Sequence, residues 1–467
     1  MKLFQKDKPF YKEVFTLAIP IALQSLITIG VNMLDTKMVV SLSDNALSAT
    51  SLANSFISIY HILCMGLGMG ASVLISRYWG MKKAEDEPEK ADHALKQTMS
   101  LMLRLTVILA AVFALATFLI PGKIIEMYVD VSKPEAPIIV ELGEKYLNWS
   151  VLSYFFLGTS LTTTIALRSV GQVKLPLFVS IGAFFVNLIA NYMLIFGNWG
   201  APRMEIEGAA LATLIARIFE ATVIVGYLLI KDKKIGFRLK HLFLSTRSLV
   251  KEYFRICIPV LISDGLLALG NNAVTMVIGH LGGAYTAANA IASVTQQLTS
   301  VVITGVSQAG AIVTGRTLGF GDREKTMRNG WAFLGLGLAL GAFSGLLIMI
   351  IKSPIVYAYE VTGDTEAVTR QLLNAISVII VFQATNSIMT KGVLRGGGDT
   401  KMLMLTDNVF LFVLSLPLGM LAGYVLELDA FWIFICLKMD QIVKTIWCVF
   451  RLKSEKWIKK ISTGAGK

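Results

Sequence analysis

The sequence predicts an all-α polytopic membrane protein: twelve transmembrane helices in two six-helix lobes related by a pseudo-twofold. Three observations predict it. Of the 467 residues, 55% are hydrophobic and only 16% are charged, whereas a soluble globular chain carries about 25% charged residues. Apolar runs of about twenty residues, the length that crosses a bilayer, recur from end to end. The second half of the chain also repeats landmarks of the first at fixed offsets, the mark of a duplicated architecture.

The spans fall at 14–40, 46–76, 97–120, 146–167, 175–197, 206–230, 256–280, 285–315, 330–351, 371–394, 402–425 and 430–450. The first follows MKLFQKDKPFYKE and reads as a retained helix, because it is too long for a signal-peptide core and lacks a small-residue cleavage site. Lys and Arg sort by side. The N-terminus, the even-numbered loops with their span ends and the C-terminal tail hold 32, the odd-numbered loops (Lys133 among them) hold 6, and 5 lie inside spans. The positive-inside rule then puts both termini in the cytoplasm. The net charge of +12 therefore records topology and contact with anionic lipid, and does not indicate nucleic acid. Cys64, Cys257, Cys436 and Cys448 all lie in apolar runs without a CxxC pair, as small core residues do.

The repeat is precise in register. At an offset of 239, Pro20 aligns with Pro259, Leu42 with Leu281, Ala49 with Ala288, Arg77 with Arg316 and Gly80 with Gly319. At an offset of 227, LRSVGQVK (167–174) matches LRGGGDTK (394–401). Six spans per half is an even number, so both halves enter the membrane the same way round, as in parallel-repeat secondary transporters. The expected domains are an N-lobe (1–230), a basic linker (231–255), a C-lobe (256–453) and a cytoplasmic tail (454–467).

Polar residues at helical spacing form stripes along several spans. Gln24, Thr28, Asn32 and Asp35 share one face of the first, and Ser180, Asn187 and Asn191 one face of the fifth. Asp264, Asn271 and Thr275 do so in the seventh; the eighth carries Asn289, Ser293, Gln296 and Ser300. Lipid cannot satisfy these groups, so they face protein or water. Stripes in both halves fit a wet cavity, with interhelical hydrogen bonding as the alternative.

Five acids lie inside spans. Glu220 follows Arg217 by three residues and Asp440 precedes Lys444 by four, spacings that allow structural ion pairs within one helix. Asp35, Asp264 and Asp407 have no cation at such spacing, since Lys37 points away from Asp35 and lies near a span end. A carboxylate inside the membrane costs roughly 2.5–3.5 kcal/mol on insertion scales, so such a group is expected to exchange a proton or bind a cation, or to be held by another helix. Pro20 and Pro259 mark bends at matching places. Gly337, Gly341 and Gly345 share one helix face and read as close packing. No HExxH, DDxxD or GxSxG is present, so no enzymatic chemistry is indicated.

From about residue 12 to 453 the sequence resembles the MATE (multidrug and toxic compound extrusion) family. The resemblance rests on AIPIALQSLITIGVNMLDTKMV, NLIANYMLIFG (187–197), GAALAT (208–213) and the paired LRSVGQVK and LRGGGDTK turns. It implies two lobes forming a V around a central cavity and export of organic, often cationic, compounds driven by Na+ or H+. It implies that Asp35 belongs to the coupling-ion site with Asn187, Asn191 and Thr213, and that Pro20 is the bending point. Many members carry Asp at the position of Asn191, which leaves the choice between Na+ at Asp35 and H+ open. Candidate substrate or proton residues are Asp264, Asp407, Gln24, Asn32, Asn271 and Gln296. The expected protein is a monomeric plasma (inner) membrane antiporter for small organic substrates, with no cofactor beyond the coupling ion. A flippase or exporter of a lipid-linked or other endogenous precursor is the alternative, which would want several inward-facing Arg or Lys.

Overall fold

The computed structural model describes residues 7–84, 88–129 and 134–460; Lys133 and residues 461–467 of the expected tail lie outside them. Ten helices among the described residues are long and apolar enough to cross a membrane, from Lys8–Val40 to Thr400–Val425. Two more spans are interrupted, which brings the number to the expected twelve. The fourth consists of Ala136–Ser150 and Ser153–Ser169, bent by 57°. It begins ten residues before the expected 146, because the amphipathic turns ahead of Trp149 extend the helix. The twelfth is Ala430–Leu437 followed by Met439–Lys453, broken at Lys438. The tenth and eleventh contain π-helical turns at Ile388–Leu394, Phe410–Ser415 and Leu421–Val425. Such turns are rare and frequently mark functional segments.

The described chain forms two compact units. One comprises Leu23–Ile75 and Asp92–Tyr253; the other comprises 7–22, 76–84, 88–91 and 254–460. In the first, Tyr60 and Tyr154 are both fully buried. Tyr60 donates its hydroxyl hydrogen to the Tyr154 carbonyl at 2.7 Å, and Thr117 donates to the Tyr154 hydroxyl at 3.0 Å. Two large polar rings thus bury apolar area without orphaning an oxygen. Gly158 makes room for this: a Cβ there would lie 2.0 Å from the Tyr60 oxygen.

In the second unit the glycine row of the ninth span packs as its spacing predicts. A Cβ on Gly337 would come within 2.8 Å of the Thr385 Cα, one on Gly341 within 2.6 Å of the Val381 Cα, and one on Gly345 within 2.3 Å of the Ser377 carbonyl oxygen. The ninth and tenth spans therefore meet backbone to backbone. The start of the first span and the end of the second belong to this unit for the same reason. Gly305 lies against the Ala18 carbonyl, and Gly80 and Gly319 cross with their Cα atoms in close approach. Glu13 pairs with Arg316 beside that crossing.

The repeated turns repeat in geometry. Gly171 (φ 77°) and Gly398 (φ 88°) both take the left-handed conformation. In each, the glycine N–H bonds back to the aligned arginine carbonyl, Arg168 at 2.8 Å and Arg395 at 2.9 Å. The following residue bonds to the leucine before that arginine, Gln172 to Leu167 and Asp399 to Leu394. The aligned glycine thus supplies the left-handed residue that ends a helix in both halves.

Candidate functional site

Asp35 lies near the end of Lys8–Val40, and Asn187 and Asn191 lie one turn apart on Lys174–Phe196. The structure brings them together. The Asn191 amide donates to Asp35 Oδ1 at 2.5 Å and to Asn187 Oδ1 at 3.1 Å. Both asparagines are buried, and Asn191 Oδ1 is buried with no hydrogen-bond partner among the described residues. An acceptor oxygen of that kind beside a carboxylate suits a bound cation or a proton carrier, since neutral and charged oxygens both ligate hard ions. Asp35, Asn187 and Asn191 are the residues whose oxygens could hold a cation. Among the described residues no group of three or more His, Cys, Asp or Glu is arranged for a metal ion.

Thr213, on Glu205–Ile230, returns its hydroxyl to the Ala209 carbonyl at 3.0 Å. The Tyr146 hydroxyl donates to Asn54 Oδ1 at 3.5 Å. Arg217 lies within electrostatic reach of Asp35, His61 and Tyr146 while it pairs with Glu220 at 2.8 Å. The expected Arg217–Glu220 pair is thus present, and it brings a positive charge toward Asp35. Sequence reasoning missed that proximity, because Arg217 and Asp35 lie on different spans. Tyr146 was also missed, since it precedes the polar stripes at the start of the expected fourth span.

The other candidates divide. Gln24 is buried, donates to the Ser180 hydroxyl at 2.6 Å and accepts from Arg168, so it is committed to holding helices together. Asn32 is exposed, its carbonyl accepting from Thr36 at 2.8 Å. In the second unit Gln296 donates to Gln383 at 2.5 Å, and Asn271 accepts from Lys438 at 3.1 Å. Pro20 and Pro259 sit inside continuous helices.

Two acids with no cation on their own helix are held by a cation from another one. Asp264 is bridged by both terminal nitrogens of Arg395, at 3.0 and 3.3 Å. Asp407 is 3.4 Å from Lys444, which also pairs with Asp440 at 3.0 Å. The expected Asp440–Lys444 pair is therefore one side of a buried triad. In each case the cation comes from beyond the acid's own helix, where helical spacing cannot show it.

The family model MatE matches residues 20–193 and 259–421, one match in each half, beginning at the two aligned prolines. Over 463 residues the chain is 24% identical to the uncharacterized transporter YisQ of Bacillus subtilis strain 168, covering 97% of this chain and 96% of that one. It is 26% identical over 413 residues to the multidrug resistance protein NorM of Burkholderia vietnamiensis, covering 86% and 85%. An outward-facing multidrug resistance MATE family transporter of the MOP superfamily superposes with a TM-score of 0.82 at 20% identity, over 95% of this chain and 96% of that one. The MATE transporter VcmN of Vibrio cholerae, in a mutant form, gives 0.83 at 18% identity, over 96% and 97%. These two carry the fold alone. Two matched halves, aligned prolines and a shared fold lead to one conclusion: the chain belongs to the MatE family and is a membrane transporter, not an enzyme.

Proposed function

We propose that this protein is a secondary active antiporter that exports small organic compounds by alternating access, with Na+ or H+ exchanging at Asp35. The observation that supports the reading best is the 2.5 Å bond from Asn191 to Asp35, in a buried cluster with an unpartnered amide oxygen. A carboxylate within a span is costly. It is retained where its charge changes, and neutralising it by a proton or a cation alters which neighbours it holds. An ion shifts the equilibrium between transporter states only by its different affinity for each. Asn191 makes the site less anionic than one with a second carboxylate, which favours H+ over Na+. The protein acts as a monomer in the plasma (inner) membrane with both termini in the cytoplasm.

The test uses proteoliposomes holding the full chain and an organic dye, energised in one arm by a Na+ gradient without a pH difference and in the other by a pH gradient without Na+. Wild type is expected to move the dye in at least one arm and Asp35→Asn in neither. Full gradient-driven transport by Asp35→Asn at equal protein density would overturn the assignment of Asp35. Transport in the Na+ arm alone would overturn the preference for H+.

A further inference from the structure

Four helix ends of the second unit enclose a cavity of about 250 Å³, apart from the residues around Asp35. They are the starts of Lys8–Val40 and Arg323–Ala358 and the ends of Asp44–Lys83 and Gly283–Gly319. At each of them an apolar span gives way to charged residues, the depth at which lipid head groups lie. The cavity is smaller than the roughly 300–1,000 Å³ of a site for a drug-sized compound, so it suits a single polar group and not a whole organic substrate.

Its lining carries both signs of charge. The floor is buried: Phe10 and Trp79 supply two aromatic rings, and Asn329 is 2% exposed. The Asn329 side-chain oxygen is buried with no hydrogen-bond partner among the described residues. A buried acceptor left open calls for a donor. Asp7, half-buried, brings a carboxylate to the same cavity and forms no ion pair with a described cation. Glu13, the other acid of the lining, is taken by Arg316. Lys83 and Lys325 are exposed and pair with no described acid. The Lys83 ammonium stands 5.4 Å from the centre of the Trp79 ring, which holds its charge at the cavity wall. Phe320, 44% exposed, adds an apolar surface beside these charges.

A phosphate alone would satisfy the lysines but meet the like charge of Asp7. An ammonium alone would satisfy Asp7 and Asn329 but leave the lysines unanswered. One small group answers both: an ammonium and a phosphate two carbons apart. The ammonium has three N–H donors for Asp7 and the Asn329 oxygen, and aromatic faces favour its charge. The phosphate oxygens accept from Lys83 and Lys325. We propose that this cavity binds a phosphoethanolamine group, carried by a phosphatidylethanolamine lipid whose chains pass Phe320 into the bilayer. Asp7, Lys83 and Lys325 belong to three different helix ends, so an occupied cavity ties those ends together. The site is separate from the transported compound and does not depend on the antiport reading.

Native mass spectrometry of the delipidated full-length protein measures which lipids it retains from micelles holding equal amounts of phosphatidylethanolamine, phosphatidylcholine and phosphatidylglycerol. Wild type is expected to retain the ethanolamine lipid about tenfold over the others, because choline has no N–H to donate and glycerol no charge for Asp7. Asp7→Asn is expected to abolish that preference, as loss of a charged hydrogen bond implies. Lys325→Gln, an exposed change that leaves the floor intact, is expected to reduce it about threefold. Soluble O-phosphoethanolamine separates the sources. A rise in unfolding temperature on its addition, absent in Asp7→Asn, assigns the cavity to the free group as well; retention of the lipid with no such rise assigns it to the lipid alone. Equal retention of the three lipids with no response to the soluble compound, or a lipid preference that survives both substitutions, would overturn the proposal.

Discussion

Lys444→Met should be among the most destabilising single substitutions in the C-terminal half. The Lys444 side chain is 2% exposed, and the carboxylates it joins, Asp440 and Asp407, are 1% and 4% exposed. Removing the cation leaves both acids buried without a counter-charge. Breaking one buried pair costs about 3–5 kcal/mol, and two orphaned partners place this variant at or above the upper end. Removing one acid is milder, because Lys444 keeps the other. Asp407→Asn, which loses a 3.4 Å contact, should cost about 1–3 kcal/mol. Asp440→Asn should cost more than that, since Asp440 lies at 3.0 Å and also receives Ser415 and Gln441. The triple variant Lys444→Met, Asp407→Asn, Asp440→Asn leaves no buried charge and should recover most of the loss. Cys64, Cys257 and Cys448 are fully buried, so the rate at which a thiol-reactive coumarin labels the protein on heating reports unfolding. Refutation would come from Lys444→Met labelling at the wild-type temperature, or from the triple variant labelling at a lower temperature than the single one.

Three further outcomes are expected. Gly341→Ala places a Cβ 2.6 Å from the Val381 Cα and should cost about 1–3 kcal/mol, whereas Gly30→Ala, with nothing within 4 Å, should be neutral or stabilising; thermal unfolding in detergent compares them. Gly398→Ala, at φ 88°, should cost about 1–2 kcal/mol by the same measurement, with Gly171→Ala comparable. In the linker, His241 accepts the Arg238 N–H at 2.9 Å, and burial, followed by the charges of Lys96 and Lys240, holds its pKa below the ordinary imidazole value. A depressed pKa in the folded state means the contact is at full strength above the free value near 6.5 and weakens as pH falls through the lower folded value. The protection of the amides at residues 238–244 against exchange, taken relative to the intrinsic rate at each pH, should therefore fall on acidification from neutral pH, and His241→Asn, which keeps an acceptor, should flatten that dependence.

Features that depend on one helix, or on comparing one half with the other, were legible in the sequence. The glycine row 337–341–345 and the Arg217–Glu220 and Asp440–Lys444 pairs follow from three- and four-residue spacing. The twin turns at Gly171 and Gly398 follow from alignment. Hidden were relations closed by a distant span: Arg395 on Asp264, 131 residues away, and Arg217 within electrostatic reach of Asp35. The Asn191–Asp35 contact, 156 residues apart, came from the family resemblance and not from periodicity. The bend between Ser150 and Ser153 was equally silent, because Val151 and Leu152 at the break are neither proline nor glycine. At Lys438 the signal was present, a lysine in the middle of an apolar run, but a break and an anchor look alike until the partner is seen.

The backbone contact between the ninth and tenth spans has a mechanical consequence. Where Gly337, Gly341 and Gly345 seat against Thr385, Val381 and Ser377, the nearest atoms across the contact are backbone, with side-chain atoms of Thr385 and Ile380 further out. Sliding one past the other by even a fraction of a turn would drive backbone atoms into each other. Close-packed elements of this kind shift between discrete arrangements or move together. The two spans should travel as one stiff beam through the transport cycle. Bending within this unit then falls to the π-turned eleventh span and the broken twelfth. Spin labels on the ninth and tenth spans would keep a fixed separation while labels on either side of Lys438 change theirs.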